Sequence, residues 1–186
     1  MQAALSIFLI GMMGAGKSTV GARLARRLER PFVDVDRELE HRLGVDIPTV
    51  FDLEGEAGFR RRESQLIEEL SAREGLVLAT GGGAVLMPCN RDVLALRGLV
   101  VYLRATPADL WQRLRRDKHR PLLKSEDPRQ RVFDLVEERD PLYLEIADYV
   151  ASTGRQPVDH AVESIIGWLS HPDCEQRAQG KIQCSK

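Results

Sequence analysis

Hydrophobic positions along this 186-residue chain fall into two alternating patterns. Short, nearly unbroken apolar runs at 5–10, 32–35, 76–79, 99–103 and 149–151 read as five strands. A parallel strand covered on both faces has no polar side to show. Between these runs the apolar residues recur every three or four positions. Val20, Leu24 and Leu28 make one stripe, Phe59, Leu66, Ile67 and Leu70 a second, and Val158, Val162, Ile165, Ile166 and Leu169 a third. Thr106-Pro107 and Asp127-Pro128 each place a capping side chain before a proline at the first helical position, the signature of a helix start. Strands that alternate with such helices predict βαβ units, and so an α/β domain on a five-stranded parallel sheet.

Residues 171–186, HPDCEQRAQGKIQCSK, break the pattern. They hold one isolated isoleucine and no period, so we expect a single domain over 1–170 and a flexible tail over 171–186. Composition adds little to this picture: 30% of residues are charged, and the net charge of −1 leaves no overall footprint for nucleic acid or an acidic membrane. Cys89, Cys174 and Cys184 show no metal-ligand or disulfide-framework spacing, which points to reduced thiols and a cytoplasmic setting. The apolar start lacks a basic leader region and runs straight into a glycine-rich loop, so it reads as a buried first strand and not as a signal peptide. No other stretch is long and apolar enough to span a bilayer.

The glycine-rich loop carries the strongest chemical signal. Residues 11–19 read GMMGAGKST, which is G-x-x-x-x-G-K-[ST] behind a strand and ahead of a helix. Gly14, Ala15, Gly16, Lys17, Ser18 and Thr19 are therefore candidate ATP-binding residues. Backbone N–H groups and the positive end of the helix face the phosphates, and Lys17 adds a point charge. Ser18 offers a hydroxyl to Mg²⁺, a cation that prefers oxygen ligands. No NKxD-type base-reading segment occurs, so ATP rather than GTP is the expected nucleotide.

Five further features suggest where a phosphate acceptor binds. Asp34 and Asp36 close the second strand, and alternation along an extended chain would send both to one side, Asp34 toward Mg²⁺ through water and Asp36 toward an acceptor hydroxyl. Arg60, Arg61 and Arg62 precede Glu63 at the start of a helix; they cannot all point one way, so one is free to face a cleft while another meets Glu63 or solvent. Gly81, Gly82 and Gly83 follow the third strand, leaving bare backbone against which a ligand can lie. The basic stretch 116–120 leads into Pro121, shaped like a lid (about 112–125) that would bring Arg120 to the transferring phosphate. Arg139 lies in RDPLY, read as a helix end, either capping carbonyls or reaching into the acceptor pocket.

Taken in order, GMMGAGKST, DVD, FRRRE, TGGGA, RPLL and RDPLY resemble the sequence blocks of the shikimate kinases, over about residues 5–170. The resemblance implies a P-loop, nucleoside-monophosphate-kinase-like three-layer αβα fold, and phosphorylation of the shikimate 3-hydroxyl by ATP with Mg²⁺. By resemblance Asp36 contacts the shikimate hydroxyls, Arg60 and Arg139 hold its carboxylate, and Gly81–Gly83 line the same pocket. Lys17, Asp36 and Arg120 would carry the chemistry, within an acceptor region of about 34–61 and the lid. Arg113 and Gln156 are carried over to the adenine region. The expected partners are shikimate and ATP, with no nucleic acid or membrane, and the chain is expected to be a monomer. The rival readings are another small-molecule kinase of this architecture, such as a gluconate kinase, and a regulatory nucleotide-binding domain without chemistry. The second would have lost Asp36, Arg60 or Arg139, and all three are present.

Overall fold

A computed structural model of the chain describes residues 5–115 and 126–184. Five parallel strands form one sheet: β1 (Ser6–Ile10), β2 (Phe32–Asp34), β3 (Val77–Ala79), β4 (Gly98–Arg104) and β5 (Tyr149–Ser152), in the order β2-β3-β1-β4-β5. All five stand where the apolar runs placed them. The central strand β1 is fully buried, with Phe8 paired to Leu78 on one side and Val100 on the other. Helices cover both faces of the sheet. They are α1 (Lys17–Arg27), α2 (Val35–Leu43), α3 (Ile47–Ser71), α4 (Pro88–Arg97), α5 (Pro107–Leu114), α6 (Pro128–Ile146), α7 (Val158–Leu169) and α8 (Pro172–Cys184). The three-layer αβα expectation is met. No described helix is long and apolar enough to cross a membrane.

Side-chain caps fix several helix starts. Thr106 accepts from the Asp109 N–H at 3.1 Å, and Asp127 from the Gln130 N–H at 2.9 Å, as the two capping signals predicted. The helix α3 is broken at Gly55, whose φ of 67° and ψ of 179° no helix contains, so its second segment begins just before Phe59 and Arg60. Pro141 sits inside α6, between Arg139 and Tyr143, and removes the helical hydrogen bond that an N–H at 141 would donate to the Glu137 carbonyl.

Three expectations need correction. Asp34 and Asp36 are not both on an extended strand: β2 ends at Asp34, which caps α2, and Asp36 lies in that helix's first turn. Arg139 is not at a helix end but seven residues inside α6. The tail, expected to be flexible over 171–186, forms α8 over Pro172–Cys184. Pro172 begins that helix, Asp173 and Glu175 favour its first turn, and Cys174 is buried. Arg177 and Lys181 then bind Asp148 at the foot of the sheet, and Lys181 also donates to the Gly98 carbonyl at 2.7 Å. Polar composition hid a helix held by charge rather than by an apolar stripe.

Candidate active site

The loop between β1 and α1 is shaped by its glycines. Gly16 caps α1 with a φ of 93°, a left-handed conformation that a side chain resists. Lys17 is nearly buried and donates through Nζ to the Gly11 and Met12 carbonyls at 2.7 and 2.9 Å. Its ammonium therefore sits inside the curve of the loop. Ser18 Oγ donates to Asp34 Oδ2 at 2.5 Å, while Asp34 Oδ1 accepts from the Asp36 and Arg37 N–H groups. One carboxylate thus joins the start of α1 to the start of α2. A hydroxyl and a carboxylate side by side are hard oxygen donors, the set that suits Mg²⁺ bound chiefly through water and phosphate. Among the described residues no group of three or more His, Cys, Asp or Glu could form an all-protein metal cage.

A cavity of about 430 Å³ opens over this loop. Gly14, Ala15, Gly16, Lys17, Ser18 and Thr19 form its floor, and Asp34, Asp36 and Gly82 its other side. Arg113 and Gln156 border it too. Arg113 ties the phosphate loop to the loop after β5, donating to the Gly14 carbonyl at 2.9 Å, to the Gly154 carbonyl at 2.6 Å and to the Thr153 carbonyl. Thr153, Pro157 and Val158 complete that wall. The sequence reading missed them, because nothing marks a loop after the last strand as a wall except its position at the strands' carboxyl ends. Arg120 and residues 116–125 of the expected lid lie outside the described residues.

Asp36 and Gly82 line the cavity, whereas Arg60, Arg139, Gly81 and Gly83 do not. Both arginines are buried, at 7% and 2% exposure. Arg60 bonds to Glu63 at 2.7 Å and to Glu56 at 3.1 Å. Arg62 takes Glu54 instead, so Arg60 and Arg62 point to different partners. The glycines make room for this cluster. A Cβ on Gly81 would lie 2.2 Å from Glu63 Oε1 and 3.0 Å from Asp36 Oδ1, and one on Gly83 would lie 2.1 Å from an Arg60 nitrogen. Asp36, Arg60, Glu63 and Arg139 therefore converge on one glycine turn.

Glu63 is the group whose weight was not foreseen. It is fully buried, and Oε1 has no hydrogen-bond partner. Burial pushes its carboxyl up to about 7; Arg60 pulls it down and Asp36 pushes it further up. Its spacing, three residues after Arg60, was the available signal. The folded-state value is above the ordinary 4.5, so the folded chain binds more proton than the unfolded one between those values. The stability this group contributes is fully present below about 4.5 and is lost as pH rises through about 7. Glu63→Gln removes that titration. The difference in urea midpoint, wild type minus Glu63→Gln, is expected to fall from pH 5 to pH 8, and a constant difference would refute the assignment.

Comparison with known proteins places this geometry. The sequence model of a family described as shikimate kinase matches residues 13–170. A shikimate kinase from Burkholderia lata is 58% identical over 161 residues, covering 87% of this chain and 88% of that protein. The solved shikimate kinase of Acinetobacter baumannii, in complex with shikimate, superposes with a TM-score of 0.87 at 46% identity, covering 89% of this chain and 93% of that one. A gluconokinase from Sinorhizobium meliloti shares the fold alone, with a TM-score of 0.55 at 18% identity over 92% of this chain and 100% of its own.

Proposed function

This chain belongs to the shikimate kinase family, and from that membership we propose how its residues divide the transfer of the γ-phosphoryl group of ATP to the 3-hydroxyl of shikimate. It is an ATP-dependent phosphotransferase with an alcohol acceptor, acting in the shikimate pathway of aromatic amino-acid (chorismate) biosynthesis. The observation that supports the division of roles is that the phosphate loop, Asp36 and Gly82 border one cavity. Donor and acceptor groups there face each other across a space the size of small ligands.

The N–H groups of residues 14–19 and Lys17 hold the phosphates, with Arg120 added from the lid. Ser18 and Asp34 would hold Mg²⁺, Asp34 through water, and the bound ion supplies neutralising charge to the phosphates. Arg113 and Gln156 border the adenine. Arg60 and Arg139 take the shikimate carboxylate, a planar anion that guanidinium binds in bidentate fashion. The backbone of Gly81–Gly83 lies against the ring, and Asp36 orients the 3-hydroxyl and accepts its proton. We further propose that the chain works as a monomer in the cytoplasm, and its near-neutral charge supports a role without nucleic acid or membrane partners.

The test is an assay coupled to ADP release with shikimate, quinate and gluconate as alternative acceptors. Turnover with shikimate is expected to exceed the others by about two orders of magnitude or more, because buried groups built for one acceptor are left unpaired by another. Preference for gluconate would overturn the reading.

A further inference from the structure

Tyr143 bridges the Gly82 turn and the phosphate loop. It is fully buried on α6, and its hydroxyl donates to the Gly82 carbonyl at 2.5 Å. The same oxygen lies 3.6 Å from Met12 Sδ, so one side chain touches the acceptor turn and the phosphate loop together. These two loops are already in close contact: a Cβ on Gly82 would stand 2.9 Å from the Met13 nitrogen. The ring is held from behind by Tyr102 of β4, stacked at 4.8 Å between centroids and 24° between planes. Tyr102 in turn donates to Asp140 Oδ1 at 2.7 Å, and Asp140 Oδ2 accepts from Arg104 at 2.6 Å. Arg139, one turn earlier on α6, reaches the same Gly82 carbonyl at 3.4 Å.

We propose that Tyr143 is a positioning residue for phosphoryl transfer: its hydroxyl fixes the Gly82 turn against the phosphate loop and so sets the distance from acceptor to phosphate. The inference rests on the reading above, in which shikimate lies against Gly81–Gly83. A peptide is planar and trans, so fixing the Gly82 carbonyl toward α6 also fixes the direction of the Gly83 N–H. A ring that only filled core space would not need the hydroxyl, since phenylalanine would make the same stack on Tyr102. Burial holds the Tyr143 phenol above its ordinary titration range, so it remains a donor wherever the chain is folded.

Tyr143→Phe keeps the ring and removes the donor. Its expected effect is a fall in kcat for shikimate of about ten- to a hundredfold, the scale of a misplacement of an ångström or less. The ATP dissociation constant should stay within about twofold, because the phosphates bind to groups Tyr143 does not touch. p-Aminophenylalanine at 143 restores an N–H donor at nearly the same place and should recover most of the lost kcat. A purely structural role would lower the melting temperature and leave kcat at its wild-type value, and that result overturns the inference. If the phenylalanine variant does not fold, the p-aminophenylalanine variant decides: near wild-type kcat supports the inference, and a tenfold loss in the folded protein overturns it. Failure of the wild-type chain to turn over shikimate would overturn both this inference and the reading it rests on, whereas wild-type kcat in Tyr143→Phe overturns this inference alone.

Discussion

Lys17→Ala is expected to reduce phosphoryl transfer by at least about a hundred- to a thousandfold, with the fold intact. The lysine is the charge in the curve of the phosphate loop, and in the structure its ammonium already faces inward, bound to the Gly11 and Met12 carbonyls. With ATP present those weak acceptors give way to phosphate, a stronger partner for an ammonium. Alanine leaves the two carbonyls without that donor, at a cost of about 1–3 kcal/mol each at most. The Met12 carbonyl still accepts from the Ala15 N–H at 3.1 Å, so the loop keeps its own closure. The circular dichroism spectrum of Lys17→Ala should therefore match the wild type. Near wild-type turnover in a variant with that spectrum would show that the loop does not hold the transferring phosphate.

The loop and the individual strands are legible in the sequence because both are local. Five apolar runs are five strands, and the nine-residue motif is a loop and helix start whose Lys17 turns back onto the Gly11 carbonyl and whose Ser18 meets Asp34. Contacts between distant segments were not legible. Tyr143 meets Gly82 across 61 positions, and Arg113 meets Gly154 across 41. No periodicity records such pairs, although Tyr143 and Gly82 each stand inside a sequence motif. Asp34 and Asp36 both line the cavity, though not for the reason the sequence pattern suggests. Strand alternation does not place them; a helix start brings Asp36 to the cavity and makes Asp34 its cap. The helix α8 was missed because its anchors are ion pairs to Asp148, which a search for apolar stripes passes over.

The acceptor site is expected to separate under mutation into an anchor and a reacting group, but the structure changes which variants can show it. Arg60→Ala would leave Glu63 buried beside Asp36 with its main counter-charge gone, and breaking a buried pair in this way costs about 3–5 kcal/mol. A loss of activity there would report folding as much as binding. Arg139→Lys is the cleaner anchor test. It keeps a positive charge near Glu63, which Arg139 helps to hold down, while losing the planar fork that takes a carboxylate in two bonds. The expected result is a rise of roughly tenfold in the shikimate KM, with kcat changed little, if that contact is equal in the ground and transition states. Asp36→Asn should act the other way. It preserves size and removes the proton acceptor, so kcat should fall by about 10²–10⁴ while the shikimate KM moves much less. Stability should not suffer, because Asp36 raises the Glu63 carboxyl and its charge is a burden on the buried cluster. Measured ATP affinity should be the same in both variants, since neither residue belongs to the phosphate loop. If both weaken ATP and spare the shikimate kinetics, the glycine turn and its arginines serve the nucleotide, and the acceptor binds elsewhere.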